Sequence, residues 1–204
     1  MAKQYGYDIS QVHIIPINSK KDLTNGWNNM GVENGQNVDI DSVMIWVHGN
    51  PKALGNGKGD WHLKPGDIKK LQDKDIENLI LPCCNAGHDD YQQKNIAAEF
   101  ARKTDGAPVI ATDGTAYAYQ DGTLESRNDD HFKEWLKYGD RDNDGWLVYH
   151  EDDGEVNVSK LGKKSMTVEE MMETLKKYDK KYRCTMSGGG PSAGGEVDWD
   201  TQPA

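Results

Sequence analysis

The chain has 204 residues, 28% of them charged, a formal net charge of −10 at neutral pH and a mean hydropathy of −0.86. This length suits one soluble domain with a sizeable core and room for a small appendage, and no apolar run approaches the roughly 20 residues that a membrane span requires. The acidity argues against a nucleic-acid backbone or an anionic membrane as the main partner, and Met1-Ala2-Lys3-Gln4-Tyr5 lacks the apolar core of a signal peptide.

In chain order, residues 11–17 form an apolar run rich in Ile and Val that predicts a buried strand. Residues 22–30 place Leu23, Trp27 and Met30 on one helical face. Residues 42–47 are nearly all apolar, the pattern of a strand covered on both sides. A glycine-rich stretch, residues 55–61, leads through Pro65-Gly66-Asp67 into a short helix with Ile68 and Leu71. Residues 78–82 predict another buried strand, 94–102 a helix and 108–112 a fourth strand. Strands alternating with helices imply parallel β-structure with right-handed crossovers.

The second half changes character. Residues 131–138 predict a short helix. Residues 146–150 and 156–158 flank Asp152-Asp153-Gly154, the signature of a hairpin with an Asp-Gly turn. Thr167-Val168-Glu169-Glu170 is a capping box that opens a helix running to Tyr178, with Met171 and Met172 toward the core. After Cys184, residues 187–204 are glycine-rich and predict a flexible tail. The expected organisation is an α/β core over 1–125, an extension of the same domain over 126–186, and the tail.

Two strand ends carry chemistry. One run finishes in His48-Gly49-Asn50 and the next in Cys83-Cys84-Asn85-Ala86-Gly87-His88. In parallel sheets the carboxyl ends of strands open onto a shared crevice, so a His and a Cys at successive strand ends can face one site. A thiol becomes a good nucleophile as thiolate, and a nearby imidazole can take its proton. Gly49 lets the backbone approach a substrate closely, so that its N–H and that of Cys84 can form an oxyanion hole. Three cysteines, two adjacent and Cys184 far away, point to thiols in a reducing compartment rather than a disulfide framework. No paired Cys/His ligand spacing suggests zinc.

A His-Gly after an apolar strand, followed by an apolar strand ending in Cys-x-x-Gly, resembles the caspase-like peptidase clan over roughly residues 42–119. The Gly of that motif selects Cys84 as the nucleophile and leaves Cys83 as the last strand residue, facing the core. The resemblance implies a doubly wound, mainly parallel sheet with helices on both faces, followed by a small α+β extension. It also implies peptide-bond hydrolysis by a Cys84–His48 dyad, with no cofactor needed for the chemistry. In members that cut after basic residues, an acid at the end of the strand beside the nucleophile forms the base of the specificity pocket. Asp113 matches that position, with an Asp-Gly turn as the alternative reading. Asn50 follows His48-Gly49 into the same crevice, and His88 is either a substrate contact or a surface-loop residue.

Trp27-Asn28-Asn29-Met30-Gly31, His48-Gly49-Asn50, Cys84-Asn85-Ala86-Gly87-His88 and the stretch 107–114 are also similar to C-terminal domains of bacterial Rhs/YD-repeat proteins. That likeness implies an effector domain, resident in the bacterial cytoplasm or exported within a larger toxin chain. The expected partner is a protein or peptide substrate. Non-hydrolytic thiol chemistry on the same scaffold, or a calcium-dependent binding module with structural Cys and His, are the alternatives.

Asp140-Arg141-Asp142-Asn143-Asp144-Gly145 with Glu151 matches the ligand pattern of an EF-hand loop, with Asp140, Asp142, Asp144, the Trp146 carbonyl and Glu151 as the oxygen donors. Two readings stand: a Ca2+ site, or an acidic surface turn into the hairpin. A complete helix-loop-helix is not expected, because Asp152-Asp153-Gly154 interrupts the outgoing helix.

Overall fold

The computed structural model describes residues 9–33, 35–128 and 143–178. The described residues open with a 3-10 turn, Ile9–Gln11, and then α1 (Lys20–Asn29), where the Ser19 side chain accepts the N–H of Asp22 as an N-cap. Two short antiparallel strands, β1 (Val32–Glu33) and β2 (Gln36–Asn37), precede β3 (Ile40–Met44). A small sheet follows: β4 (His48–Asn50), β5 (Ala53–Gly55) and β6 (His62–Leu63). Next come α2 (Pro65–Ile68), β7 (Ile76–Leu81), α3 (Ile96–Ala101) and β8 (Val109–Thr112). The remainder comprises β9 (Thr115–Ala118), β10 (Thr123–Arg127), β11 (Trp146–Asp152), β12 (Glu155–Lys160), β13 (Ser165–Thr167) and α4 (Val168–Leu175).

The central sheet has five strands in the order β12-β11-β8-β7-β3. β3, β7 and β8 run parallel, and β11 and β12 join antiparallel. Alternation along the strands divides the core into two layers. Leu79, Leu81, Val109, Ala111, Leu147 and Tyr149 face one cluster with Leu23 and Trp27 of α1, Ile68 of α2 and Phe100 of α3. Ile80, Ile110, Trp146 and Val148 face the other, with Val168, Met171 and Leu175 of α4. The fold is therefore mixed α/β with helices on both faces of the sheet. Leu124 and Met166 close the second layer from a three-stranded sheet, β13-β10-β9.

Three expectations change. Residues 12–17 form no strand; Ile14 is 85% exposed, while Ile15 lies against Gly26 of α1 and Ile17 against the main cluster. Pro16 has no N–H to give a ladder, which explains why this apolar run stays outside the sheet. The parallel segment thus has three strands, not four. Second, β3 ends at Met44 and stands at the sheet edge, partly exposed, rather than covered on both faces. Third, the hairpin expected in an extension completes the central sheet: Trp146 pairs with Thr112 and Tyr149 with Val109. The helix expected over 131–138, Cys184 and the tail lie outside the described residues.

Other local signals translate directly. The capping box Thr167/Glu170 is formed in both directions and opens α4. β11 and β12 turn through Asp153 (φ 50°) and Gly154 (φ 87°), the two positive-φ residues that a two-residue hairpin uses.

Two glycines with nearly equal φ separate backbone strain from packing. A Cβ on Gly154 would meet nothing within 4 Å, whereas one on Gly145 (φ 85°) would lie 2.1 Å from the Lys163 carbonyl oxygen. Gly154→Ala should cost ~1 kcal/mol from the left-handed conformation alone. Gly145→Ala should cost roughly 3 kcal/mol or more, because it also forces β11 off the segment before β13. Urea unfolding of both variants checks this ordering, and equal losses would contradict it.

Candidate active site

His48-Gly49 lies on β4 and Cys83-Cys84 in the turn that follows β7, and the chain brings the Gly49 backbone onto the cysteines. β3 ends at Met44, Ile45 still donates its N–H to the Ile80 carbonyl (3.1 Å), and the chain then leaves the central sheet for β4. Cys83 marks that departure. Its thiol is fully buried and donates to the Ile45 carbonyl at 3.1 Å, although Cys83 is not the last strand residue expected, because β7 closes at Leu81. Burial pushes this thiol up to about 12, so at neutral pH it remains an S–H donor and a core group.

Gly49 then comes into van der Waals range of the cysteines. A Cβ at position 49 would lie 2.9 Å from Cys83 Cβ and 3.0 Å from the Cys84 carbonyl oxygen. The His-Gly backbone is therefore packed directly on the Cys-Cys backbone, and glycine is the residue that permits it. Asn50 and Ala53 flank a two-residue turn between β4 and β5. By the alternation of antiparallel pairs, Gly49 then occupies the position whose N–H and C=O face away from β5.

His48 is exposed, and its imidazole is seated on Gly57: a Cβ there would lie 2.8 Å from Cδ2 and 2.9 Å from Nε2. Gly57 (φ 73°) belongs to the glycine-rich stretch that the sequence marks as a loop, but its role as a platform for His48 is visible only in three dimensions. Cys84, unlike its neighbour, is partly exposed.

The Cys84 loop is tightly held. Ala86 and His88 donate to the Cys83 and Asn85 carbonyls, while Gly87 donates to Thr112 at the end of β8 and Asn85 to Gly114 just beyond it. Gly87 lets the loop lie on β8, since a Cβ there would sit 2.9 Å from Ala111 Cβ. Asn95 and Tyr149, which sequence reasoning missed, clamp the loop from below. Asn95 Nδ2 donates to the His88 carbonyl (3.1 Å) and the Tyr149 hydroxyl (2.8 Å), that hydroxyl donates to the Gly87 carbonyl (2.8 Å), and Asn95 Oδ1 caps α3 through the N–H of Ala98. Fully buried groups bonded at this many points define one geometry. The N-cap Asn before α3 was a readable signal; its reach to Tyr149 was not.

Asp113 was expected at the rim of the crevice. It is instead buried, and its two oxygens accept the N–H groups of Asp89 and Asp144, each at 2.8 Å. Burial raises its carboxyl above the usual carboxylate range, against these two donors. His88 Nδ1 approaches Asp113 Oδ1 at 3.7 Å but accepts the Asp90 N–H at 3.3 Å, so the ring is part of the loop's own scaffold. Lys160 bridges the carboxylates of Asp89 (2.5 Å) and Asp144 (2.7 Å) and fastens the same loop to β12. Asp113 therefore acts as a knot between the loop after Cys84 and the entry to β11.

Of the residues of the acidic loop, Asp140 and Asp142 lie outside the described residues. The rest are engaged: Asp144 pairs with Lys160, the Trp146 carbonyl accepts the Leu161 N–H (3.1 Å), and Glu151 accepts the Gly154 N–H inside the hairpin. Among the described residues no three acidic, His or Cys side chains converge on a metal-sized space.

The contrast between the cysteines is directly measurable. In a Cys184→Ser background at pH 8, iodoacetamide should label one thiol, Cys84. A group titrating at about 12 has roughly one part in ten thousand thiolate at that pH. Labelling of Cys83 in the folded protein would contradict this placement.

No family model matches the chain, and no curated protein matches it. A solved structure described as that of a protease is similar over 39% of this chain and 17% of its own length, with 20% identity and a TM-score of 0.31. The chain thus spans less than a fifth of that protein, and likeness of this degree establishes neither a shared fold nor a shared activity.

Proposed function

We propose that the chain is a cysteine endopeptidase with Cys84 as nucleophile and His48 as acid-base. The observation that carries the reading is the packing of the Gly49 backbone on Cys83 and Cys84, which sets the residue next to His48 against the thiol loop while the His48 ring itself rests on Gly57. The buried, high-pKa thiol of Cys83 and the partly exposed Cys84 divide the roles between structure and chemistry.

In the proposed reaction His48 takes the thiol proton and the Cys84 thiolate adds to the scissile carbonyl. The oxyanion is held by backbone N–H groups, with Gly49 the favoured donor because its N–H faces away from β5. His48 returns the proton to the leaving amine, the C–N bond breaks, and an acyl-thioester remains. Water, deprotonated by His48, then releases the acid and restores the thiol. The buried clamp of Asn95, Tyr149 and Asp113 fixes the loop that presents the thiol, which supports preorganisation of the nucleophile.

The effector role follows from the resemblance to toxin C-termini and adds nothing to the chemistry. Cleavage after Arg or Lys rested on Asp113. Because both oxygens of that carboxylate already accept backbone N–H groups, we assign it the positioning role instead. The calcium reading of the acidic loop depends on Asp140 and Asp142 and is independent of this mechanism.

Turnover of a mixed fluorogenic peptide library, with mass-spectrometric mapping of the cuts, tests the proposal. Cys84→Ala and His48→Ala should each lower hydrolysis by at least ~10³-fold with melting temperatures near wild type. Cys83→Ala should retain turnover and lose stability, as loss of a buried bonded group does. Activity that survives Cys84→Ala, or is lost in Cys83→Ala alone, would overturn the assignment.

A further inference from the structure

The glycine-rich stretch between β5 and β6 contains the pair Asn56-Gly57, and an identical pair, Asn25-Gly26, lies inside α1. An asparagine followed by glycine exposes its side-chain amide to attack by its own backbone, because glycine puts no Cβ in the way. The two pairs are alike in sequence and opposite in structure. Asn25 is the more exposed, but its peptide is locked in the helix. There the Met30 N–H donates to the Gly26 carbonyl at 3.0 Å, and a Cβ on Gly26 would meet the Ile15 side chain at 3.3 Å. Asn56 lies in neither helix nor strand, and Gly57 is exposed.

The Asn56 side chain is held at both ends. Its Oδ1 accepts the Lys58 N–H (3.2 Å), and its Nδ2 donates to Asp60 Oδ2 (2.9 Å). A turn of this kind folds the carboxamide back along its own chain, beside the nitrogen of the next residue. The Lys58 N–H then meets the oxygen on which charge builds when the Gly57 nitrogen adds to the amide carbon. Gly57, at φ 73°, is also the residue against which the His48 imidazole rests. The loop is pinned where it leaves β5 and enters β6. Gly55 pairs with both His48 and His62, and a Cβ on Gly55 would sit 2.6 Å from the Trp61 carbonyl oxygen.

We propose that Asn56-Gly57 is a self-modification site, at which the backbone converts Asn56 to an isoaspartyl or aspartyl residue and unseats His48. The Gly57 nitrogen gives its proton to solvent and bonds to Asn56 Cγ. The Cγ–Nδ2 bond breaks, Nδ2 leaves as ammonia with a proton from water, and a succinimide closes. Water then opens the imide at one of its two carbonyls. Opening at Cγ leaves an aspartyl residue. Opening at the main-chain carbonyl sends the chain through the side-chain methylene, so the backbone gains a carbon between positions 56 and 57. Both products lose the Nδ2 donor to Asp60 and set a second negative charge near it. With the loop ends pinned, the added length displaces Gly57, and the His48 ring loses its seat. The inference is independent of the peptidase reading and meets it only at His48.

Peptide mapping of the protein during incubation at mildly alkaline pH tests this. Asn34-Gly35, whose Asn34 lies outside the described residues, is mapped separately. Position 56 should gain a carboxylate, in part as the isoaspartyl form. It should convert at least ~10²-fold faster than Asn25, whose helix holds the reacting atoms out of line. Conversion should quicken as pH rises, because the attacking nitrogen must lose its proton. In concentrated urea, where the helix and the turn are both gone, the two pairs should convert at similar rates. No conversion at position 56, or equal rates at 25 and 56 in the folded protein, would overturn the proposal. A difference that persists in urea would overturn it as well, since sequence rather than fold would then be its source. The NMR resonances of the His48 imidazole should shift as the isoaspartyl form accumulates and stay in place in Asn56→Gln, which must close a larger ring. Unchanged His48 resonances in the converted protein would overturn the link to its seat.

Discussion

The backbone of Gly49 sits on Cys83 and Cys84, and most of what the site could do depends on that close approach. β3 and β7 are parallel neighbours, so their carboxyl ends already lie side by side. Removing the Cβ at position 49 and turning Cys83 inward brings the backbones into contact. The Cys83 thiol holds the arrangement from beneath, through its bond to the Ile45 carbonyl at the point where the chain leaves β3. One cysteine is thus structural so that the next can be exposed.

The rest of the architecture supports this point in layers. Tyr149 on β11 and Asn95 before α3 bind the carbonyls of the loop that follows Cys84, and Asp113 binds its amides. These contacts come from strands and helices distant in sequence, and the antiparallel hairpin contributes to them from beside β8. β11 carries the hydroxyl and places the Asp144 amide where the Asp113 carboxylate accepts it. A loop fixed at this many buried points presents its thiol with little freedom to reorganise, which is the condition that nucleophilic catalysis favours.

Local chemistry made much of this legible in the sequence. The Thr167/Glu170 capping box, the Asp153-Gly154 turn, the helical face of Leu23 and Trp27 and the apolar runs of β7 and β8 all declare themselves within a few residues. The His-Gly and Cys-Cys dipeptides stood out in the sequence but not at the strand ends expected of them: β3 closes at Met44 with His48 in β4 of another sheet, and β7 closes at Leu81, before Cys83. What depended on distant partners was not readable. The run through Ile14 and Ile15 looks like a strand until Pro16 is weighed against the need for a ladder partner. β3 has the composition of a central strand and lies at the edge, because no neighbour is available to cover it among the described residues. Asp113 looks like a pocket acid by position, yet two amides from separate loops reach it first. Gly57 is one glycine in a rich stretch until the imidazole of His48 is found against it.

The central claim is that Cys84, His48 and the Gly49 amide form one reactive centre. A crystal structure of the protein after treatment with a peptidyl chloromethyl ketone tests it most directly. The account predicts a thioether on Cys84, the ketone oxygen accepting the N–H of Gly49, and the His48 imidazole within ~3–4 Å of the trapped sulfur or the ketone carbon. A thioether on Cys83, or an alkylated Cys84 with His48 still seated on Gly57 far from the adduct, would contradict it.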